Sequence, residues 1–223
     1  MDFPTAAISD ACVRLRVPLR AVGLSGNMPG HRVSGPAAVA RHCGSVDIFL
    51  EAMRTAPKGS ILVVDNGGRR DEGCVGDLTA TEVRGRGGIA MAIWGSHRDD
   101  ADLRRMKFPV WSLGTCPAGP TELRERMPSD LTFVHFGPHR VEGGDWVYAD
   151  DDGVVFVPAN RRAEVEESAA KIVSREREQA RKAEAGELLS KQLAFDDYLK
   201  ARAANSNVTF REHLRKIGGA IEE

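Results

Sequence analysis

The sequence predicts an α/β fold with partly parallel strands and a helical extension at its C-terminal end. Three observations carry this. Between residues 45 and 113, short apolar runs alternate with amphipathic stretches, the pattern of strands joined by crossover helices. From residue 131 to 157 the pattern changes to strands alone. After residue 160 the composition shifts to Glu, Arg, Lys and Ala.

Taken in order, residues 5–16 read as a helix, with Ala6, Ile8, Ala11, Cys12 and Leu15 near helical spacing and Thr5 or Ser9 as its cap. A Gly/Pro-rich segment follows, and residues 36–40 read as a short strand. Residues 45–56 form a helix with Val46, Phe49, Leu50 and Met53 along one side. Pro57, Lys58 and Gly59 stop it. Residues 60–65 are an apolar strand ending in Asp65, broken by Asn66-Gly67-Gly68.

Residues 78–86 read as a helix, terminated by Gly87-Gly88. Residues 89–94 are a second buried strand, 101–106 a short helix and 109–113 a third strand. Residues 131–136, 145–150 and 154–157 are strands. The last two form a hairpin across the Asp152-Gly153 step. Residues 161–189 read as one long charged helix, and 193–203 as another. Thr209-Phe210-Arg211-Glu212 has the form of a capping box opening a final helix. This tail is too polar for a core of its own and is expected to pack on the body or on a neighbour. The division is a catalytic α/β domain over 1–160 and a helical extension over 161–223.

The bulk properties exclude several classes. The chain has 223 residues, 42% hydrophobic and 28% charged, as in an ordinary globular protein. A formal net charge of −1 gives no global field toward nucleic acid or an anionic membrane. No apolar stretch is long enough to span a bilayer. Cys12, Cys43, Cys74 and Cys116 are scattered without metal or disulfide spacing, which suits a reducing cytoplasm.

Chemistry concentrates at one spacing. Asp77 follows Gly76 at a helix start, and twenty residues separate it from the pair Arg98-Asp99. The chain leaves the 60–65 strand through glycines, returns along the 78–86 helix, and reaches the same sheet edge again after the 89–94 strand. A right-handed crossover therefore brings Asp77 beside Arg98 and Asp99, at the edge where open α/β sheets hold ligands. The amides at that helix start suit a carboxylate. Arg98 can grip a carboxylate or keto oxygen with its planar fork. Asp99 is a hard oxygen ligand for Mg²⁺ or Mn²⁺.

Plainer readings stand beside these. Asp77 is also an ordinary helix N-terminal carboxylate, and Arg98-Asp99 a surface ion pair. His97 reads first as a solvent-facing loop histidine and second as a pocket acid/base. Trp111 and Trp146 read as core, and Asp150 to Asp152 as a hairpin turn rather than a calcium loop. A Schiff-base route is disfavoured, since Lys58 and Lys107 lie in turns and not in an apolar pocket.

Gly76-Asp77-Leu78-Thr79-Ala80, the twenty-residue gap and Arg98-Asp99 resemble the RraA-like family. That family includes class II 4-hydroxy-4-methyl-2-oxoglutarate aldolases and the ribonuclease E inhibitor RraA. Ile8-Ser9-Asp10-Ala11, Gly35-Pro36-Ala37, Val63-Val64-Asp65 and Ala149-Asp150-Asp151-Asp152-Gly153 agree with it. The resemblance covers residues 5–180. It implies a three-layer swivelling β/β/α fold and a homotrimer or hexamer with sites at subunit interfaces.

It further implies a divalent-metal-dependent lyase, using Mg²⁺ or Mn²⁺. Such an enzyme cleaves a 4-hydroxy-2-oxo dicarboxylate to pyruvate and decarboxylates oxaloacetate. By the same resemblance, Arg98 binds the pyruvate portion, Asp99 the metal, and Asp77 orients metal-bound water. Gly76, Leu78 and Thr79 line the carboxylate site, with His97 beside it. The alternative is a non-catalytic regulator that binds ribonuclease E. The chain departs from the family at Trp94-Gly95-Ser96-His97, where a Trp and a His are expected to reshape the pocket.

Overall fold

The computed structural model describes residues 3–218. An eight-stranded sheet curls around the centre of the molecule, in the order β1-β10-β9-β3-β4-β5-β6-β2. Its strands are β1 (Ala21–Val22), β2 (Ser25–Gly26), β3 (Val33–Arg41), β4 (Ile61–Asp65), β5 (Ala90–Trp94), β6 (Val110–Ser112), β9 (Trp146–Asp150) and β10 (Gly153–Val157). A separate hairpin joins β7 (Phe133–Phe136) to β8 (His139–Glu142).

The curl is built into β3. Residues Val33 to Pro36 pair antiparallel with β9, and Ala37 to Arg41 pair parallel with β4. The strand changes partner beside Gly35, where an added β-carbon would lie 2.1 Å from the Gly59 carbonyl oxygen. Any side chain there would push the two halves of the sheet apart.

The parallel strands are buried on both faces, which is why they read as unbroken apolar runs rather than alternating ones. Leu62 and Val64 of β4 face one core with Met91 and Ile93 of β5. That core is closed by α2 (Asp47–Thr55), α3 (Asp77–Gly85) and α4 (Asp100–Arg105). Ile61, Val63, Ala90 and Ala92 face a second core with Phe136, Val141, Val147 and Phe156. Side chains of this size contribute about 1.5–3 kcal/mol each when fully buried. The layers are thus helices, parallel strands, and a second set of strands, as the resemblance implies.

A third core lies outside β9 and β10. Tyr148, Val155 and Val157 meet Ile8 and Ala11 of α1 (Thr5–Arg14) and Val165, Ala169 and Ile172 of α5 (Arg162–Glu184). Thr5 does not cap α1. The cap is Pro4, and the Thr5 amide and hydroxyl bind the Asp150 carboxylate at 2.9 and 2.5 Å. The Asp150-to-Gly153 segment is the expected hairpin turn.

The tail differs from its expectation in two respects, the length of its first helix and a small core of its own. The long helix stops at Glu184, short of 189, because Gly186 turns left-handed at φ +93°. Beyond it lie α6 (Leu189–Gln192), α7 (Phe195–Ala204) and α8 (Phe210–Ile217). Phe195, Tyr198, Phe210 and His213 pack on one another with centroids 5.0 to 6.0 Å apart, and Leu193, Tyr198 and Leu214 are buried. Four rings spread over nineteen positions suffice for a small local core, although the tail is mostly charged. The capping box forms as predicted: Thr209 Oγ1 accepts from the Glu212 amide, and Glu212 accepts from the Thr209 amide.

Candidate active site

The carboxyl ends of β3, β4 and β5 converge on one cavity of about 240 Å³. Asp77, Leu78 and Thr79 line it from the start of α3, Arg98 and Asp99 from the turn after β5, and His42 from the end of β3. Gly76, Cys74 and Pro120 also contribute to its wall. A hollow of about 350 Å³ beside Ala38 and Ala56 is larger, but Glu51 and Arg54 are its only charged residues. The predicted convergence of Asp77 with Arg98 and Asp99 is therefore present.

Three loops laid side by side hold these residues. The Gly73 amide donates to Ala118 O at 2.7 Å, and the Cys74 amide to Ser96 O at 3.2 Å. The Arg98 amide donates to Val75 O at 2.9 Å, and the Cys116 amide to His97 O at 2.8 Å. This pairing extends the parallel sheet past its regular strands, so the site rests on backbone and not on mobile side chains. Glycines let the loops approach. A β-carbon on Gly76 would meet Asp99 Oδ2 at 2.1 Å, and one on Gly119 would meet Arg98 Nη1 at 2.7 Å.

Asp99 caps α4 in the left-handed region, at φ +58°. That conformation is uncommon for a residue with a side chain and is tolerated best by Asn and Asp. Its carbonyl accepts from the Asp102 and Leu103 amides at 3.0 Å, which fixes the turn. Arg98 Nε lies 3.5 Å from Asp99 Oδ2, and the two side chains are 46% and 37% exposed. An ion pair so wet contributes little to stability, so both groups are available to a ligand.

Asp77 occupies the first turn of α3, and its Oδ1 accepts from the Leu78 amide at 2.7 Å. The plain reading, a helix N-terminal carboxylate on a backbone amide, is thus realised alongside the position in the cavity, although the N-cap itself is Gly76. Helix α3 buries Thr79, Ala80 and Val83, and ends where Gly87 turns at φ +86°. Leu78, by contrast, is 80% exposed at the mouth.

His97 corrects its first reading. It is 4% exposed, not solvent-facing. Its Nδ1 meets Ser112 Oγ at 2.8 Å and its Nε2 meets Asp100 Oδ1 at 3.1 Å. Both ring nitrogens are used to tie the end of β6 to the start of α4. Trp94 turns the other way, packing on Gly68, Gly137 and Phe136. Neither residue lines the cavity, so the expected reshaping of the pocket by these two side chains is not seen. Lys58 and Lys107 are exposed turn residues outside the cavity.

Sequence reasoning missed a buried polar cluster beneath the site. His42 is 3% exposed and stacks on Phe49 with centroids 5.4 Å apart. Its Nδ1 lies 2.8 Å from Asn66 Oδ1 and 3.7 Å from Glu72 Oε1. Arg69 and Arg124 each approach Glu72 at 3.2 Å. Burial pushes the His42 ring below the ordinary 6.5, outweighing Asn66 and Glu72. Burial also raises the Cys74 thiol to about 12, which removes it as a nucleophile near neutral pH. Position was the available signal, since His42 and Asn66 both follow apolar strands at the ligand-binding edge.

Among the described residues, no three His, Cys, Asp or Glu side chains form a preformed metal cage. The donor set still suits a hard cation. Two carboxylates, Asp77 and Asp99, line the same cavity, and Mg²⁺ commonly takes one or two carboxylates with waters. No helix among the described residues is long and apolar enough to cross a membrane.

Comparison with known proteins bears on this geometry. A family model described as RraA-like, aldolase/RraA, matches residues 5–156. A Halorhodospira halophila protein named "Putative 4-hydroxy-4-methyl-2-oxoglutarate aldolase" is 37% identical over 112 residues, which is 49% of this chain and 66% of that protein. Its namesake from Alkalilimnicola ehrlichii is 31% identical over 126 residues, 56% of this chain and 76% of that protein. The crystal structure of Streptomyces coelicolor RraAS2 is described as an unusual member of the RNase ES inhibitor RraA family. It superposes with a TM-score of 0.65 at 26% identity, covering 77% of this chain and 91% of that one.

Proposed function

The chain belongs to the RraA-like family, and on that premise we propose that it is a divalent-metal-dependent carbon–carbon lyase. Its substrate is a 4-hydroxy-2-oxo dicarboxylate such as 4-hydroxy-4-methyl-2-oxoglutarate, its products are pyruvate and a second carbonyl compound, and it also decarboxylates oxaloacetate. The observation that carries this reading is the convergence of Asp77, Arg98 and Asp99 in one cavity. The names of the two relatives support it.

Each residue has a task that follows from its place. Arg98 forks onto the 1-carboxylate and 2-oxo oxygen, and its fixed charge stabilises the negative charge that develops there as the C3–C4 bond breaks. The α3 start offers amides and a positive dipole end to the carboxylate. Asp77 already holds the Leu78 amide, so a bound carboxylate uses Thr79 or displaces that contact. Asp99, with Asp77 beside it, would hold Mg²⁺ or Mn²⁺, which supplies Lewis-acid stabilisation of the 2-oxo oxygen. The protein assembles as a trimer or hexamer in this proposal, which light scattering measures.

The test is pyruvate release from 4-hydroxy-4-methyl-2-oxoglutarate and from oxaloacetate, with Mg²⁺ and after chelation. Release that stops on chelation is expected. Inactivity with both 2-oxo acids would overturn the proposal. The likeness to RraAS2 supports the regulator as a second reading. Stoichiometric binding to ribonuclease E without pyruvate release would favour that reading instead.

A further inference from the structure

We propose that His42 is the base that takes the proton from the 4-hydroxyl group during carbon–carbon cleavage, an assignment that rests on the lyase function above. Three observations place it. His42 lines the same cavity as Asp77, Arg98 and Asp99. Its Nδ1 is engaged with Asn66 Oδ1 at 2.8 Å and faces Glu72 Oε1 at 3.7 Å. Its Nε2 has no hydrogen bond to any described residue.

The environment selects the tautomer. A carboxylate facing Nδ1 favours the proton there, which Nδ1–H donates to Asn66 Oδ1. Nε2 then carries the lone pair. Asn66 Nδ2 is buried without a partner among the described residues, and a flipped amide would pair it with Nδ1. That flip would turn the Nδ1 lone pair toward the Glu72 carboxylate, which is repulsive, so the orientation seen is the stable one. The charged groups facing the ring are Glu72, Arg69 and Arg124. Glu72 is held between the two arginines and does not itself reach the cavity wall. A neutral ring with one fixed tautomer is what a general base near neutral pH requires.

The step balances without a co-reactant. Nε2 takes the proton from the 4-hydroxyl oxygen, and that oxygen becomes the carbonyl of the leaving fragment. The C3–C4 bond breaks, and its electron pair forms the C2–C3 double bond with negative charge on the 2-oxo oxygen. The enolate takes its C3 proton from water, giving pyruvate, and Nε2 returns its proton to water, leaving a neutral ring. Oxaloacetate has no hydroxyl proton to remove at C4, so loss of CO₂ does not need this base.

That difference separates a chemical role from a structural one. The experiment compares His42→Asn and His42→Gln with the wild type, all Mg²⁺-loaded. Pyruvate release from 4-hydroxy-4-methyl-2-oxoglutarate should fall about 100-fold or more, while CO₂ release from oxaloacetate stays within about threefold. Equal loss of both activities, or no loss of cleavage, overturns the assignment. The wild-type pH profile tests the same point without a variant. An acid limb in cleavage and none in decarboxylation is expected, and a shared limb overturns it. A wild type inactive on both substrates overturns the lyase function itself, a result distinct from either of these.

Discussion

Asp99 Oδ2 occupies the space that a side chain on Gly76 would fill, 2.1 Å from the position of its β-carbon. The two residues belong to different loops, and only the missing side chain lets the carboxylate reach the cavity. Gly76 itself has extended backbone angles that alanine can adopt, φ −148° and ψ −160°. Gly76→Ala should therefore fold normally and still displace Asp99. A displacement of this size lowers catalysis about 100-fold. Steady-state pyruvate release together with a thermal melt checks both halves.

His97 couples the strand end at Ser112 to the helix start at Asp100, on either side of the strained Asp99. His97→Ala removes two hydrogen bonds made by a buried side chain and opens a cavity, a loss of about 2 kcal/mol or more. Urea unfolding measures it. His97→Gln, which can keep one of the two contacts, should recover part of that loss.

His42 makes stability depend on pH in a defined direction. Its folded-state value lies below the ordinary 6.5 because burial disfavours the charged ring. As pH falls below 6.5 the unfolded chain takes up the proton first, so stability drops until the folded value is reached. The contribution is fully present above pH 6.5. Urea midpoints of His42→Asn should fall less steeply with pH than those of the wild type across that window. Parallel slopes would remove His42 as the source.

Much of this was legible from sequence for physical reasons. Residues 61–64 and 90–94 are apolar throughout because both faces are covered. The meeting of Asp77 with Arg98 and Asp99 follows from one crossover of fixed hand. The capping box at Thr209 is local chemistry, and it appears as read. Other features depend on partners far along the chain. The two-residue strands Ala21–Val22 and Ser25–Gly26 have no periodicity to detect. His97 looks like a loop residue until Ser112 arrives from the next strand. Glu72 is drawn into the His42 cluster by Arg124, fifty-two positions away. The tail's aromatic core needs α7 and α8 folded together before its rings meet.

The central claim is that Arg98 acts on a 2-oxo acid in this cavity. The most direct measurement is kcat/KM for pyruvate release from 4-hydroxy-4-methyl-2-oxoglutarate by Arg98→Ala beside the wild type, at saturating Mg²⁺. Because the Arg98 side chain is 46% exposed and its ion pair is weak, the variant should melt with the wild type. The account predicts a loss of about 100-fold or more with the fold intact. An Arg98→Ala protein that releases pyruvate at the wild-type rate would contradict it.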